Sequence, residues 1–66
     1  MRARQNGGLV YVRDDRGRVA SVHNAVRLAM DLLQLGDERF TQRYGFRWVP
    51  TATTIAEAAR RMERAV

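Results

Sequence analysis

Apolar and polar residues change cadence along this chain, and each change marks an element. Leu9-Val10-Tyr11-Val12-Arg13 is β-branched and aromatic, which predicts a strand. Asp14-Asp15-Arg16-Gly17 follows, and Arg18-Val19-Ala20-Ser21-Val22 reads as a second short strand. Asp at the opening and Gly at the left-handed end fit a type I turn closed by a glycine bulge. From Val22 to Leu35 the pattern becomes helical, with Ser21 as N-cap and Gly36 just past the end. Its polar residues Asn24, Arg27, Asp31 and Gln34 fall on one stripe about 80° wide. The rest of the circumference is apolar, so the helix needs cover on most sides. Leu28, Met30, Leu32 and Leu35 are the candidates for a homodimer face or a tight docking surface.

Asp37 to Gly45 reads as a short helix with Phe40 and Tyr44 on one face. Phe46-Arg47-Trp48-Val49, stopped by Pro50, predicts a brief edge strand. Thr54-Ile55-Ala56-Glu57 fits a capping box and opens the last helix, with an apolar seam of Ile55, Ala59, Met62 and Val66. Residues 1–8 read as a mobile basic tail, because Gly7-Gly8 has no conformational preference of its own. Residues 9–66 then form a single small domain. The expected fold is α+β: an N-terminal hairpin, a central apolar helix, a short helix, a brief third strand added to the hairpin, and a C-terminal amphipathic helix in a two-layer arrangement.

Length and composition narrow this picture. A chain of 66 residues buries only about 60% of the surface that its unfolded form exposes. Such domains are commonly reinforced by disulfides, a metal or a partner. Cysteine is absent and there is one His, which excludes disulfides, thiolate metal sites and an all-imidazole site. No metal or cofactor is expected. No apolar run approaches the roughly 18 residues of a membrane span, and the polar N-terminus lacks the hydrophobic stretch of a signal peptide. A cytoplasmic protein is expected.

Twelve basic residues, all Arg, face seven acidic ones for a net charge of +5. A small body of that charge is drawn toward polyanions. Arginine also grips phosphate and carboxylate with two parallel hydrogen bonds and stacks on flat rings.

The richest stretch for binding is residues 39–48, with Arg39, Arg43 and Arg47 between Phe40, Tyr44, Phe46 and Trp48 and no acid among them. Rings stack on bases and guanidinium groups hold phosphates, so Tyr44 and Trp48 are the candidate stackers and the three arginines the candidate phosphate contacts. The same mixture suits a protein partner, where Trp, Tyr and Arg are common anchors. The competing reading is that a tiny domain needs its rings inside while the arginines reach out to water. A second candidate region is the N-terminus, where Arg2 and Arg4 of the tail join Arg13, Arg16 and Arg18 of the hairpin. A basic ribbon can enter a major groove and a basic arm can follow a minor groove. Asp14 and Asp15 at the tip oppose that.

The third candidate is the last helix, with Arg60, Arg61 and Arg64. The cadence Thr53-Thr54-Ile55-Ala56-Glu57-Ala58-Ala59-Arg60-Arg61-Met62-Glu63-Arg64-Ala65 faintly resembles the recognition helix of winged-helix regulators. It departs from that pattern in the long gap between Tyr44 and Thr51 and in a hairpin that comes first, so no family is assigned.

Catalytic groupings are missing from the sequence pattern. His23 is the only imidazole, and it is expected in the first turn of a helix rather than beside a nucleophile. Asp14-Asp15 belong to a turn and Asp37-Glu38 open a helix. The expected function is that of a small non-enzymatic binding protein, first a nucleic-acid-binding accessory or regulatory protein of DNA or RNA. The alternative is a protein-binding inhibitor or adaptor docking on an acidic protein or nucleoprotein surface, such as a phage or mobile-element counter-defence protein.

Overall fold

A computed structural model describes residues 1–64 of the chain. It has three antiparallel strands followed by three helices, an α+β fold. The strands are β1 (Arg2–Asn6), β2 (Leu9–Arg13) and β3 (Val19–Asn24), in the spatial order β1-β2-β3. The helices are α1 (Ala25–Leu35), α2 (Asp37–Tyr44) and α3 (Ala52–Arg64).

Residues 1–8 are not a tail. Arg2–Asn6 pairs with β2, from Arg2 opposite Arg13 to Asn6 opposite Leu9, and Gly7-Gly8 is the two-residue loop between them. Gly7 has φ of 61° and Gly8 does not share the positive sign, which fits a type II′ hairpin turn whose twist matches the strands. The Gly8 carbonyl then accepts a hydrogen bond from the Ala25 backbone N–H at 2.8 Å, tying this loop to the start of α1.

The second hairpin forms as the sequence predicts. The Gly17 N–H donates to the Asp14 carbonyl at 3.0 Å, and Gly17 has φ of 79°. The Asp14 side chain accepts from the backbone N–H groups of Arg16 and Arg18, the usual way an Asp holds a turn. A bulge opposite Val12 and Arg13 leaves Ala20 unpaired and shifts the register by one residue, so that Arg13 faces Val19.

The β3 strand runs two residues further than expected, so Val22, His23 and Asn24 are strand rather than helix. Asn24, not Ser21, caps α1: its Oδ1 accepts from the Arg27 N–H at 3.1 Å. Ser21 instead meets the His23 ring, with 2.9 Å between Oγ and Nε2. Gly36 closes α1 through its N–H to the Leu32 carbonyl and leads directly into α2. In α3 the cap is Thr51, whose Oγ1 accepts from the Thr54 N–H at 3.2 Å. Thr54 lies inside the helix and is buried.

One face of the sheet carries the core. Val10 and Val12 of β2 are fully buried and pack with Ala25, Leu28 and Ala29 of α1, Phe40 of α2 and Ala58 of α3. Phe46 and Trp48 complete this core from an irregular segment, so residues 46–49 do not form the third strand expected of them. The inward line of α3 is Thr54, Ala58 and Met62 rather than Ile55, Ala59 and Met62; Val66 lies outside the described residues.

Helix α1 is covered within the single chain. Leu28 is buried, and Met30, Leu32 and Leu35 pack against the core. Most of the apolar face that called for a homodimer is therefore covered within the chain, with Met30, Leu32 and Leu35 half-buried. Leu33 is the large apolar residue of α1 left 44% exposed.

Candidate nucleic-acid interface

All three helices pack on one side of the sheet, because the strands alternate. Ala3, Gln5, Val10, Val12, Ser21 and His23 occupy the covered face, and the alternate residues occupy the other. On that open face β1 presents Arg2, Arg4 and Asn6, β2 presents Leu9, Tyr11 and Arg13, and β3 presents Val19, Val22 and Asn24. The face is cationic along β1 and apolar along β3, where Val19 and Val22 are each 47% exposed.

The register sharpens the cationic half. Arg2 stands directly opposite Arg13, and Arg4 directly opposite Tyr11. Like charges facing each other across a sheet repel, and no acidic residue occurs in any of the three strands. Arg13 Nη1 donates to the Gly17 carbonyl at 2.8 Å, which draws that guanidinium toward the turn. Among the described residues, Arg2 and Arg4 enter no ion pair.

The acids of the turn are largely engaged. Asp14 binds two backbone N–H groups and pairs with Arg18 Nε at 3.3 Å. Asp15 lies 3.7 Å from the N-terminal ammonium. The objection that these carboxylates would repel phosphates is thereby reduced for Asp14 and persists for Asp15, which is fully exposed.

The other candidate residues separate. Phe40, Phe46 and Trp48 are core residues, and Trp48, at 6% exposure, has no ring face free for stacking on a base. The Tyr44 ring stacks on Phe40 with centroids 4.6 Å apart, and its hydroxyl donates to Asp31 Oδ2. That hydrogen bond to a carboxylate, aided by partial burial and the negative charge of Asp31, raises the phenol above its ordinary pKa of 10.0, with Arg43 opposing. Arg39 and Arg43 lie at i,i+4 on the exposed side of α2. Arg47 lines a shallow depression shared with Asp37 and Glu38, an unfavourable setting for a polyanion. On α3, Arg60 and Arg61 both pair with Glu57, while Arg64 is exposed in the last turn. These helical arginines belong to the layer behind the sheet and do not share its open face. Of the expected site residues, Arg2 and Arg4 come together on the open sheet face with Arg13, while the arginines of α2 and α3 lie on separate surfaces.

His23 is in a strand rather than a helix, half-buried, with its ring 5.8 Å from those of Tyr44 and Phe46. The Ser21–His23 pair has the contact of a nucleophile and base. Among the described residues no carboxylate is hydrogen-bonded to its other ring nitrogen, and Asp31 is held by Tyr44.

Tyr11 is a member of the face that sequence reasoning did not place in the site, whereas Arg13 was read there with Arg2 and Arg4 as part of a basic ribbon and arm. The available signal was weak: Gly7-Gly8 is a hairpin dipeptide placed before a strand, but Arg2–Asn6 has Ala3 as its one apolar residue and no alternation to mark it. Comparison of the chain with models of known protein families, with curated proteins and with solved structures finds no match. No helix among the described residues is long and apolar enough to cross a membrane.

Proposed function

We propose that this is a non-enzymatic nucleic-acid-binding protein, acting as an accessory or regulatory factor in the cytoplasm, and that it binds through the open face of its sheet. The observation that carries this reading is the registered set Arg2, Arg4 and Arg13 around Tyr11, on strands without an acid. Phosphate oxygens between these guanidinium groups would relieve their mutual repulsion and accept their donors in pairs. The net charge of +5 supports long-range attraction to the same partner.

Fluorescence anisotropy with short oligonucleotides over a range of salt concentrations tests this. Each of Arg2→Ala, Arg4→Ala and Arg13→Ala is expected to weaken binding and lower the salt slope by about one unit. Binding no tighter than that of an unrelated protein of equal charge would remove the reading.

A second reading is favoured by the apolar half of the face and by a separate apolar groove lined by Leu32, Leu33, Trp48, Val49, Pro50 and Ile55. There the protein is an inhibitor or adaptor on a larger protein or nucleoprotein machine, as a phage or mobile-element counter-defence protein would be. Phosphate binding weakens steeply with salt, whereas an apolar protein interface does not, so the same titration separates the two.

A further inference from the structure

Resting on the nucleic-acid reading, we propose that the open sheet face enters the major groove of double-stranded DNA. Strand β2 lies over the groove floor, the β1 arginines meet one phosphate wall, and the apolar side chains of β3 contact thymine methyl groups.

Size comes first. Neighbouring strands lie about 4.8 Å apart, so the two outer strands of this sheet are separated by about 10 Å. The major groove of B-form DNA is about 12 Å wide and about 8.5 Å deep. A two-stranded ribbon enters such a groove, so β2 can lie over the floor with the outer strands at the two rims, provided nothing rises from the outer face. All three helices pack on the opposite face, and α1 leaves the end of β3 on that covered side.

Chemistry then selects among nucleic acids. Single strands are held by series of stacked rings. Tyr11 is the one ring on this face among the described residues, since Phe40, Phe46 and Trp48 are in the core and Tyr44 stacks on Phe40. A-form RNA has a major groove too deep and narrow to admit side chains from such a sheet. The minor groove of DNA offers acceptors but no methyl group. The major groove combines an anionic wall with the C5-methyl of thymine, matching a face that is cationic along β1 and apolar at Val19 and Val22. Arg2 and Arg4, both on the edge strand β1, are placed to meet the phosphate wall, while Tyr11 and Arg13 of the central strand face the base edges.

The test uses the wild-type protein at one salt concentration and anisotropy with five probes of the same sequence. These are duplex DNA, its single strand, duplex RNA, duplex DNA with uracil for thymine, and duplex DNA whose cytosines carry glucosylated hydroxymethyl groups that fill the major groove. Duplex DNA is expected to bind tightest. The glucosylated duplex should lose about tenfold or more, as expected when base-edge contacts are removed. Uracil should cost about fourfold for each methyl group contacted. A minor-groove ligand of the netropsin type should leave binding unchanged. Equal affinity for the glucosylated duplex, or RNA or single strands binding as tightly as duplex DNA, would overturn groove entry. The sheet-face reading would still stand in that case if Arg2, Arg4 and Arg13 variants lowered the affinity. Failure to bind any probe would overturn both.

Discussion

Two stretches of this chain mix arginine with aromatic rings, and the fold treats them in opposite ways. In residues 39–48 the rings turn inward and the arginines outward: Phe40, Phe46 and Trp48 are core, while Arg39, Arg43 and Arg47 face solvent. On the sheet, Tyr11 turns outward into the company of Arg2, Arg4 and Arg13. The cause is periodicity. Helical spacing puts Phe40 and Tyr44 on one side of α2 and Arg39 and Arg43 on another, so the two chemistries part. Strand spacing gives Val10 and Val12 the inner face of β2, which leaves Tyr11 and Arg13 together on the outer face. The first stretch is richer in aromatics, yet it stabilises the fold. The poorer one supplies the surface.

The largest effect that can break this comparison is the loss of a core ring. Phe40→Ala or Trp48→Ala should cost about 3–5 kcal/mol, most of the stability that a domain of this size holds. Urea denaturation followed by circular dichroism measures it. A stable Trp48→Ala protein that no longer binds nucleic acid would reverse the assignment.

Tyr11→Ala should do the converse. Its ring covers no core residue, so unfolding free energy should change by about 1 kcal/mol or less, within the span of strand preferences. Binding should weaken by about 1–2 kcal/mol, as for an interface anchor. The salt slope should be preserved, because no charge is removed. Paired denaturation and anisotropy measurements on the one variant give both numbers.

Gly17 tests the frame that presents the face. A Cβ there would meet nothing within 4 Å, so Gly17→Ala reports only the backbone cost of φ 79°. The expected loss is about 1 kcal/mol or more, read from the denaturation midpoint, and D-alanine at the same position should restore it.

The smallest effect concerns the hydrogen bond from Tyr44 to Asp31. Tyr44→Phe should cost about 0.5–1 kcal/mol, since the pair is only partly shielded from water. Its pH dependence has a definite sign. The phenol is raised above 10.0 in the folded state, so its contribution is full below pH 10 and lost as pH rises through the raised value. Alkaline denaturation curves of the two proteins should therefore converge above that range.

Much of the fold was legible in the sequence. The Asp14–Gly17 turn, α2 and the ends at Gly36 and Gly45 follow from local chemistry that the tertiary structure does not contest. What failed was context. Arg2–Asn6 carries no large apolar residue, so its strand depends on pairing with β2 rather than on any preference of its own. Val22, His23 and Asn24 fit either the end of a strand or the start of a helix, and pairing with Leu9, Val10 and Tyr11 decides for the strand. Phe46–Val49 looks like a strand by composition, but what it supplies to the core is two rings, and Pro50 ends it before any ladder forms. The candidate site suffered from the same gap: its four central residues come from two strands, one of which read as a tail.

The central claim is that the open sheet face, and not the arginines of the helices, meets nucleic acid. Amide chemical-shift mapping of the 15N-labelled protein titrated with a short DNA duplex tests it most directly. Shifts are expected to concentrate at Arg2, Arg4, Tyr11, Arg13 and Val22, with the amides of Arg39, Arg43, Arg60 and Arg61 left in place. Shifts concentrated on α2 or α3 with the three strands silent would contradict it.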